Sequence, residues 1–258
     1  MNIDFKNMNY YYLTNNNKER KAHIEEELKN YNLYEVNSNP KMKVKNKSGI
    51  SGICKILDLA SIHQKITNFT PFAILEDDIK KYREIPENIS IPNDADILYV
   101  GLSIFGLGPQ SNTINTLYIN DIDEEIIKVY NILSSHSIII CSIRGLLTYQ
   151  KSLMESFYKE KPWDSLYASM QPYLNVYALK EPLFYQYGNI GGVDLATKLN
   201  FKNNKITMEE KLYKDIENVY KQNGLELNIN AVNINEELKL SIKKELEEYF
   251  DGPLLLSE

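Results

Sequence analysis

The sequence predicts an α/β fold built on a parallel sheet, and three observations carry that reading. The opening stretch "MNYYYLTNNNKERKAHIEEELKNYNLYEVNS" reads strand, polar turn, helix, strand. That βαβ order is the unit from which parallel sheets are made. Short apolar runs bounded by turn formers then recur along the chain, separated by helical stretches. One of them, "FAIL" at 72–75, runs directly into three carboxylates, Glu76, Asp77 and Asp78. Sheets of this class place their ligands at the carboxyl ends of strands.

Taken in order, Tyr10 to Leu13 suit a strand because aromatic side chains favour the pleated surface. Asn15 to Asn17 suit a turn or a helix N-cap. Ala22, Ile24, Leu28 and Tyr31 then recur near helical spacing, and "YEVNS" at 34–38 reads as a second strand. "NPKMKVKNKSG" at 39–49 reads as a solvated loop or a lysine-protected edge, or alternatively as a basic loop facing phosphates. "SGICKILDLASIHQKI" reads as a helix opening at Ser51, with Ile53, Ile56, Leu57, Ala60 and Ile66 on its apolar face. "PFAIL" and "ADILYVG" are the next strands, the latter stopped by Gly101. "SIFGLGPQSNTINT" is a Gly-rich loop. "LYIND" and "SIIICSIRG" read as strands, with "GLLTYQKSLMESF" a helix after the second. "LNVYALKEPLFYQYG" reads as a strand, then Pro182 and a loop. From about 206, "TMEEKLYKDIENVYKQNG" and "NEELKLSIKKELEEYF" read as amphipathic helices of mixed charge. The expected organisation is a main α/β domain over 1–205 and a helical extension over 206–258.

The 258 residues are 43% hydrophobic and 25% charged, ordinary for a globular protein with a sizeable core. A net charge of -6 argues against general affinity for nucleic acid, which needs clustered Lys and Arg. Cys54 and Cys141 lie in apolar stretches and read as buried thiols, with no CxxC knuckle. The N-terminus lacks a signal-peptide pattern, and no apolar run approaches the ~18 residues of a membrane span. These features lead to the expectation of a cytoplasmic protein without a membrane span. His23, His63 and His136 show no metal-ligand spacing.

Three adjacent carboxylates repel one another and resist desolvation. They could form a solvated turn. They could also bind a cation: hard oxygen ligands at a strand's carboxyl end suit Mg²⁺ or Mn²⁺, above all when a diphosphate completes the shell.

Several segments, in this order, resemble glycosyltransferase family 25. "YYLTNNNKERKAHIEEELK", with Arg20, resembles the family's opening strand and helix. "GISGICKILDLASIHQKI" is similar to its Gly-containing helix, and "FAILEDDI" to its strand-plus-acidic motif. "DADILYVG", "SIIICSIRGLLTYQKSL" and "PWDSLYASMQPYLNVYALKEPLFYQYG" are similar to the segments that follow. The resemblance covers about residues 8 to 195. The chain departs from the pattern where the family's helix carries a Ser-His pair: "CKILDLAS" stands there, with no His until His63.

The resemblance implies a GT-A fold, a mixed and mostly parallel Rossmann-like sheet, and an inverting glycosyl transfer. Its donor would be a nucleotide-sugar, usually a UDP-sugar, with Mn²⁺ or Mg²⁺ as cofactor. Asp78 and Glu76 are then the expected metal ligands, and Asp77 a ligand of metal or donor ribose. Leu13 and Thr14 would line the nucleoside pocket, and Arg20 would contact phosphate unless it forms a surface ion pair with Glu19 or Glu25. Inversion needs a base for the acceptor hydroxyl. Asp164, beside Trp163, is the candidate, its plain alternative being the N-cap of "SLYASM". His136 and Gln186 are weaker candidates for the donor or acceptor site. The acceptor would be a glycan or a hydroxylated protein, and the terminal helices could pair two copies. A non-catalytic binding protein on the same fold, or a nucleotide-sugar hydrolase, are the alternatives.

Overall fold

Strand β2 (Asn9–Thr14) lies deep in the molecule, with Tyr10, Tyr11 and Tyr12 all at most 1% exposed. Alternation explains how three consecutive tyrosines are buried at once, because successive side chains enter opposite faces of a sheet. Tyr11 joins one apolar cluster and Tyr10 and Tyr12 the other. The structure is a computed structural model, and it describes residues 1–38, 45–64, 69–101, 116–133, 135–186, 200–202, 205–207, 230–233 and 235–249.

After β1 (Asn2–Asp4) and β2, helix α1 (Lys18–Glu27) is capped by Asn17, whose side-chain oxygen accepts from the Glu19 and Arg20 amides. This satisfies donors that a helix start leaves orphaned. β3 (Asn32–Asn37) returns parallel to β2, and α2 (Lys45–His63) leads to β4 (Phe72–Glu76), parallel to β2 on its other side. α2 opens before Ser51, so Lys45 to Gly49 belong to its first turns and not to a basic loop.

Next come β5 (Ile79–Lys81), β6 (Asn88–Ser90), β7 (Ile97–Tyr99), β8 (Thr116–Asp121), β9 (Ile126–Val129) and β10 (Ser137–Ile140). Helices α3 (Ile143–Lys159) and α4 (Trp163–Met170) follow, then a 3-10 turn, β11 (Val176–Leu179), β12 (Phe184–Gln186), β13 (Asn200–Lys202), β14 (Lys205–Thr207), β15 (Asn230–Asn233) and α5 (Glu236–Tyr249).

The main sheet has nine strands in the order β15-β8-β9-β11-β7-β10-β4-β2-β3. β9 and β10 run against the rest, so the sheet is mixed and mostly parallel. Helices α2 and α3 cover one face through Ile53, Ile56, Leu57, Tyr149 and Leu153. α1 and the N-terminal strand cover the other through Ile24, Leu28, Ile3 and Phe5. The architecture is a mixed α/β fold with a large sheet flanked by helices. β15 pairs parallel with β8, so the segment after 205 supplies an edge strand as well as α5. The helix expected over "TMEEKLYKDIENVYKQNG" begins at Thr207, which instead ends β14, and the rest of it, like almost all of the Gly-rich loop after Gly101, lies outside the described residues. No described helix is long and apolar enough to cross a membrane.

Candidate functional site

The pleat that buries β2 also divides the carboxylates. On β4, Phe72 and Ile74 enter the α2–α3 cluster, while Ala73 and Leu75 enter the α1 cluster. By the same alternation Glu76 turns toward α2 and α3, and Asp77, next along, turns toward α1. Contacts agree on both sides. Arg20 of α1 places Nη1 3.1 Å from Asp77 Oδ1 and 3.2 Å from Asp78 Oδ2. Glu76 instead accepts from Gln186 Nε2 at 3.0 Å. Gln186 reaches it because β12 pairs antiparallel with β5, with Gln186 opposite Ile79.

Among the described residues, the ion-pair partners of Arg20 are Asp77 and Asp78, where the alternative expectation was Glu19 or Glu25. Arg20 is a bridge between two carboxylates whose side chains are only 6% and 7% exposed. Their other oxygens, Asp77 Oδ2 and Asp78 Oδ1, are buried with no hydrogen-bond partner among the described residues. Burial raises Asp78 above the ordinary carboxylate range, against the pull of Arg20 and with a further push from Asp77. Thr14, opposite face to Leu13 at the end of β2, is 1% exposed, and its hydroxyl likewise has no partner among the described residues.

Glu76 is half-buried, and burial together with the neighbouring Asp78 pushes its carboxyl up to about 8, with smaller pushes from Asp77 and Asp164. Asp164 therefore lies near enough to Glu76 for its charge to be felt there. It is not the N-cap of α4, a position held by Pro162. It sits in the first turn, where its Oδ1 accepts from the Ser165 amide at 2.8 Å and its charge complements the helix dipole. Trp163 is fixed at both ends: its indole N–H donates to Ser135 Oγ at 3.0 Å, and its six-membered ring lies over Gly49 of α2. A Cβ at Gly49 would stand 2.7 Å from Trp163 Cζ3, so only glycine lets helix and ring approach this closely.

His136 precedes β10 at the same end, where its carbonyl accepts from the Glu76 amide at 2.9 Å. Burial lowers its imidazole to about 4, so it is neutral at physiological pH. Its ring packs against Gly101 at the carboxyl end of β7. The other two histidines serve packing: His23 Nε2 meets the Ile79 carbonyl at 2.7 Å, and His63 Nδ1 meets the Tyr11 hydroxyl. Cys54 and Cys141 are free thiols.

The structure gathers Leu13, Thr14, Arg20, Glu76, Asp77, Asp78, His136, Asp164 and Gln186 at the carboxyl ends of β2, β4 and β7. Sequence reasoning overlooked Ser135 and Tyr149. Tyr149 lies on α3 beneath Glu76 and Asp164, whose charges add to the burial that raises its phenol. It carries no signal beyond its place on an apolar helix face.

Among the described residues, no three His, Cys, Asp or Glu side chains converge as a metal site. The orphaned oxygens of Asp77 and Asp78 are nonetheless hard donors, and Mg²⁺-like ions are commonly held by one or two carboxylates plus substrate phosphates and water. The donor set fits such an ion as a partner shared with a phosphate ligand.

No family model matches the chain, and no curated protein matches it. Among solved structures, A197 from STIV aligns with a TM-score of 0.37 and 12% identity, over 79% of this chain and 94% of that chain. CTP:phosphocholine cytidylyltransferase (LicC) from Streptococcus pneumoniae aligns with a TM-score of 0.39 and 9% identity, over 82% of this chain and 78% of that chain. Both similarities are weak and do not bear on chemistry.

Proposed function

We propose that the protein is an inverting, metal-dependent glycosyltransferase of the GT-A type, moving a sugar from a nucleotide-sugar to a hydroxyl acceptor. The observation that carries this reading is the division of the carboxylate triplet. One side offers Arg20 with the orphaned oxygens of Asp77 and Asp78, suited to a phosphate-bound cation. The other offers Glu76 and Asp164 beside an aromatic wall, suited to a sugar and a proton transfer. The resemblance to family 25 supports the same assignment.

In this reading Leu13 and Thr14 line the nucleoside pocket, and Arg20 and Asp77 bind the donor. Asp78, with Asp77 beside it, would hold Mn²⁺ or Mg²⁺, which when bound would supply positive charge to the leaving diphosphate; Glu76, the second ligand that the resemblance implies, lies on the other side of β4. Asp164 takes the proton from the acceptor hydroxyl as its oxygen attacks the anomeric carbon. The bond from that carbon to the diphosphate oxygen breaks, and the diphosphate departs with the electron pair. Trp163 presents an apolar ring at which a sugar can be positioned. A glycan or a hydroxylated protein would be the acceptor.

One observation favours a second reading, a binding protein without turnover: Arg20 already offsets part of the charge of Asp77 and Asp78 by bridging both carboxylates. A panel of nucleotide-sugars, assayed for nucleoside diphosphate release with Mn²⁺ and candidate acceptors, separates the two. Turnover that requires both Mn²⁺ and acceptor supports the transferase. Release without acceptor indicates a hydrolase, and binding without release indicates the second reading.

A further inference from the structure

A positive charge of the chain itself sits on the carboxylate pair. A single atom, Arg20 Nη1, lies 3.1 Å from Asp77 Oδ1 and 3.2 Å from Asp78 Oδ2. One positive centre between two neighbouring carboxylates occupies the kind of seat that a small divalent ion takes. Arg20 reaches it from the first turn of α1 on a long, flexible side chain that keeps 18% of its surface exposed.

The seat holds more acceptors than the guanidinium serves. Asp77 Oδ2 and Asp78 Oδ1 are buried without a hydrogen-bond partner among the described residues, and so is the hydroxyl of Thr14, a residue 1% exposed. Leu13 pairs with Glu76 in the parallel register of β2 and β4. Thr14 and Asp77 are therefore neighbours at the next position, and strand alternation turns both toward α1. These hard oxygens share one face with the guanidinium. Buried acceptors left unpaired are costly, and a planar fork of N–H donors cannot turn to all of them at once. A divalent ion carries no such directional limit.

We propose that Arg20 is a latch on the cation seat: it holds Asp77 and Asp78 until a nucleoside diphosphate arrives with its metal ion, and then exchanges the carboxylates for the diphosphate. The inference rests on the donor-site reading above and adds its regulation. An ion binding alone must break the Arg20 bridge, because two positive charges on one carboxylate pair repel. A diphosphate gives the released guanidinium a new partner, since guanidinium and phosphate form strong charge-assisted hydrogen bonds. Metal and nucleotide then bind weakly apart and tightly together, and one side chain carries the coupling. The bridge that the structure shows is the resting position of the latch.

The test is calorimetric titration of the full chain with Mn²⁺ alone, and with UDP in excess Mn²⁺, for the wild type and Arg20→Met. The latch predicts changes of opposite sign. Arg20→Met should bind Mn²⁺ alone on the order of tenfold more tightly, because the competing charge is gone. It should bind UDP with Mn²⁺ on the order of tenfold more weakly, because the phosphate partner is gone. Loss of a merely structural contact would weaken both. Arg20→Lys keeps the charge without the planar fork and should move both affinities the same two ways by less. It carries the test if circular dichroism shows Arg20→Met to be unfolded. A folded variant that binds Mn²⁺ alone no more tightly than the wild type, while the wild type binds UDP with Mn²⁺, overturns the latch and leaves the donor-site reading standing. A wild type that binds neither Mn²⁺ nor UDP with Mn²⁺ overturns both.

Discussion

Replacing Arg20 with Met keeps a long apolar stem and removes the guanidinium that bridges Asp77 and Asp78. In the wild type that group lies 3.1 and 3.2 Å from the two carboxylates, with Arg20 18% exposed and its partners 6% and 7%. Breaking a buried pair by removing one partner costs about 3–5 kcal/mol, because the remaining charge is left uncompensated. Two factors lower the figure here. Water reaches part of Arg20, and Asp78, already raised by burial, can take up a proton instead of remaining charged. We therefore expect a loss of about 2–4 kcal/mol near neutral pH. The sign of the pH dependence follows from Asp78. A carboxyl whose folded value lies above its unfolded value stabilises the fold most at low pH and loses that contribution as pH rises. The penalty of Arg20→Met should therefore be smaller at mildly acid than at neutral pH. Urea unfolding followed by circular dichroism at the two pH values measures it. Mn²⁺ should restore part of the loss by binding only the folded state, worth about 2.7 kcal/mol when the ion is at a hundred times its Kd. A cost below about 0.5 kcal/mol that does not change with pH would show the bridge to be a solvated surface pair and would refute the reasoning.

Three further outcomes follow from the same geometry. Asp164→Asn should lower kcat by roughly 10²–10⁴-fold while leaving the midpoint of thermal unfolding and donor binding intact, since the side chain is partly open to solvent. Gly101→Ala would push a methyl against the His136 ring, with Cδ2 at 2.8 Å and the Phe184 carbonyl at 3.0 Å, and should cost about 1–3 kcal/mol in denaturant unfolding. His136, lowered to about 4 by burial, is neutral in the fold and becomes charged more readily when unfolded. Stability should therefore fall as pH drops from about 6.5 to about 4, by at most about 3 kcal/mol, and His136→Gln should flatten that slope.

The strands around the crevice were legible because their patterns are strong. "NYYYLT", "FAILE" and "SIII" are β-branched, aromatic or aliphatic runs bounded by turn formers, and each forms a strand. β9 was not, since "IIKV" is four residues long and draws its stability from pairing with β8 and β11. The N-terminal end of α2 was misread because lysines say little about helix or loop; tertiary contact decides, here the approach of Gly49 to Trp163. Local motifs named most of the candidate residues. The split of Glu76 from Asp77 follows from two-residue alternation and was available from the sequence, but it acquires meaning only once α1 and α4 are placed on opposite faces. The Arg20–Asp77 contact spans 57 positions and has no local signal.

The most direct test of the account is thermal stability of the wild type and of Asp78→Ala, titrated with UDP and UDP-sugars with and without Mn²⁺. A ligand that binds only the native state raises stability by RT ln(1 + [L]/Kd). The account predicts that Mn²⁺ and one UDP-sugar together stabilise the wild type and leave Asp78→Ala unchanged. Equal stabilisation of both proteins, or stabilisation of neither by any nucleotide-sugar, would contradict the assignment of the carboxylate crevice as a donor site.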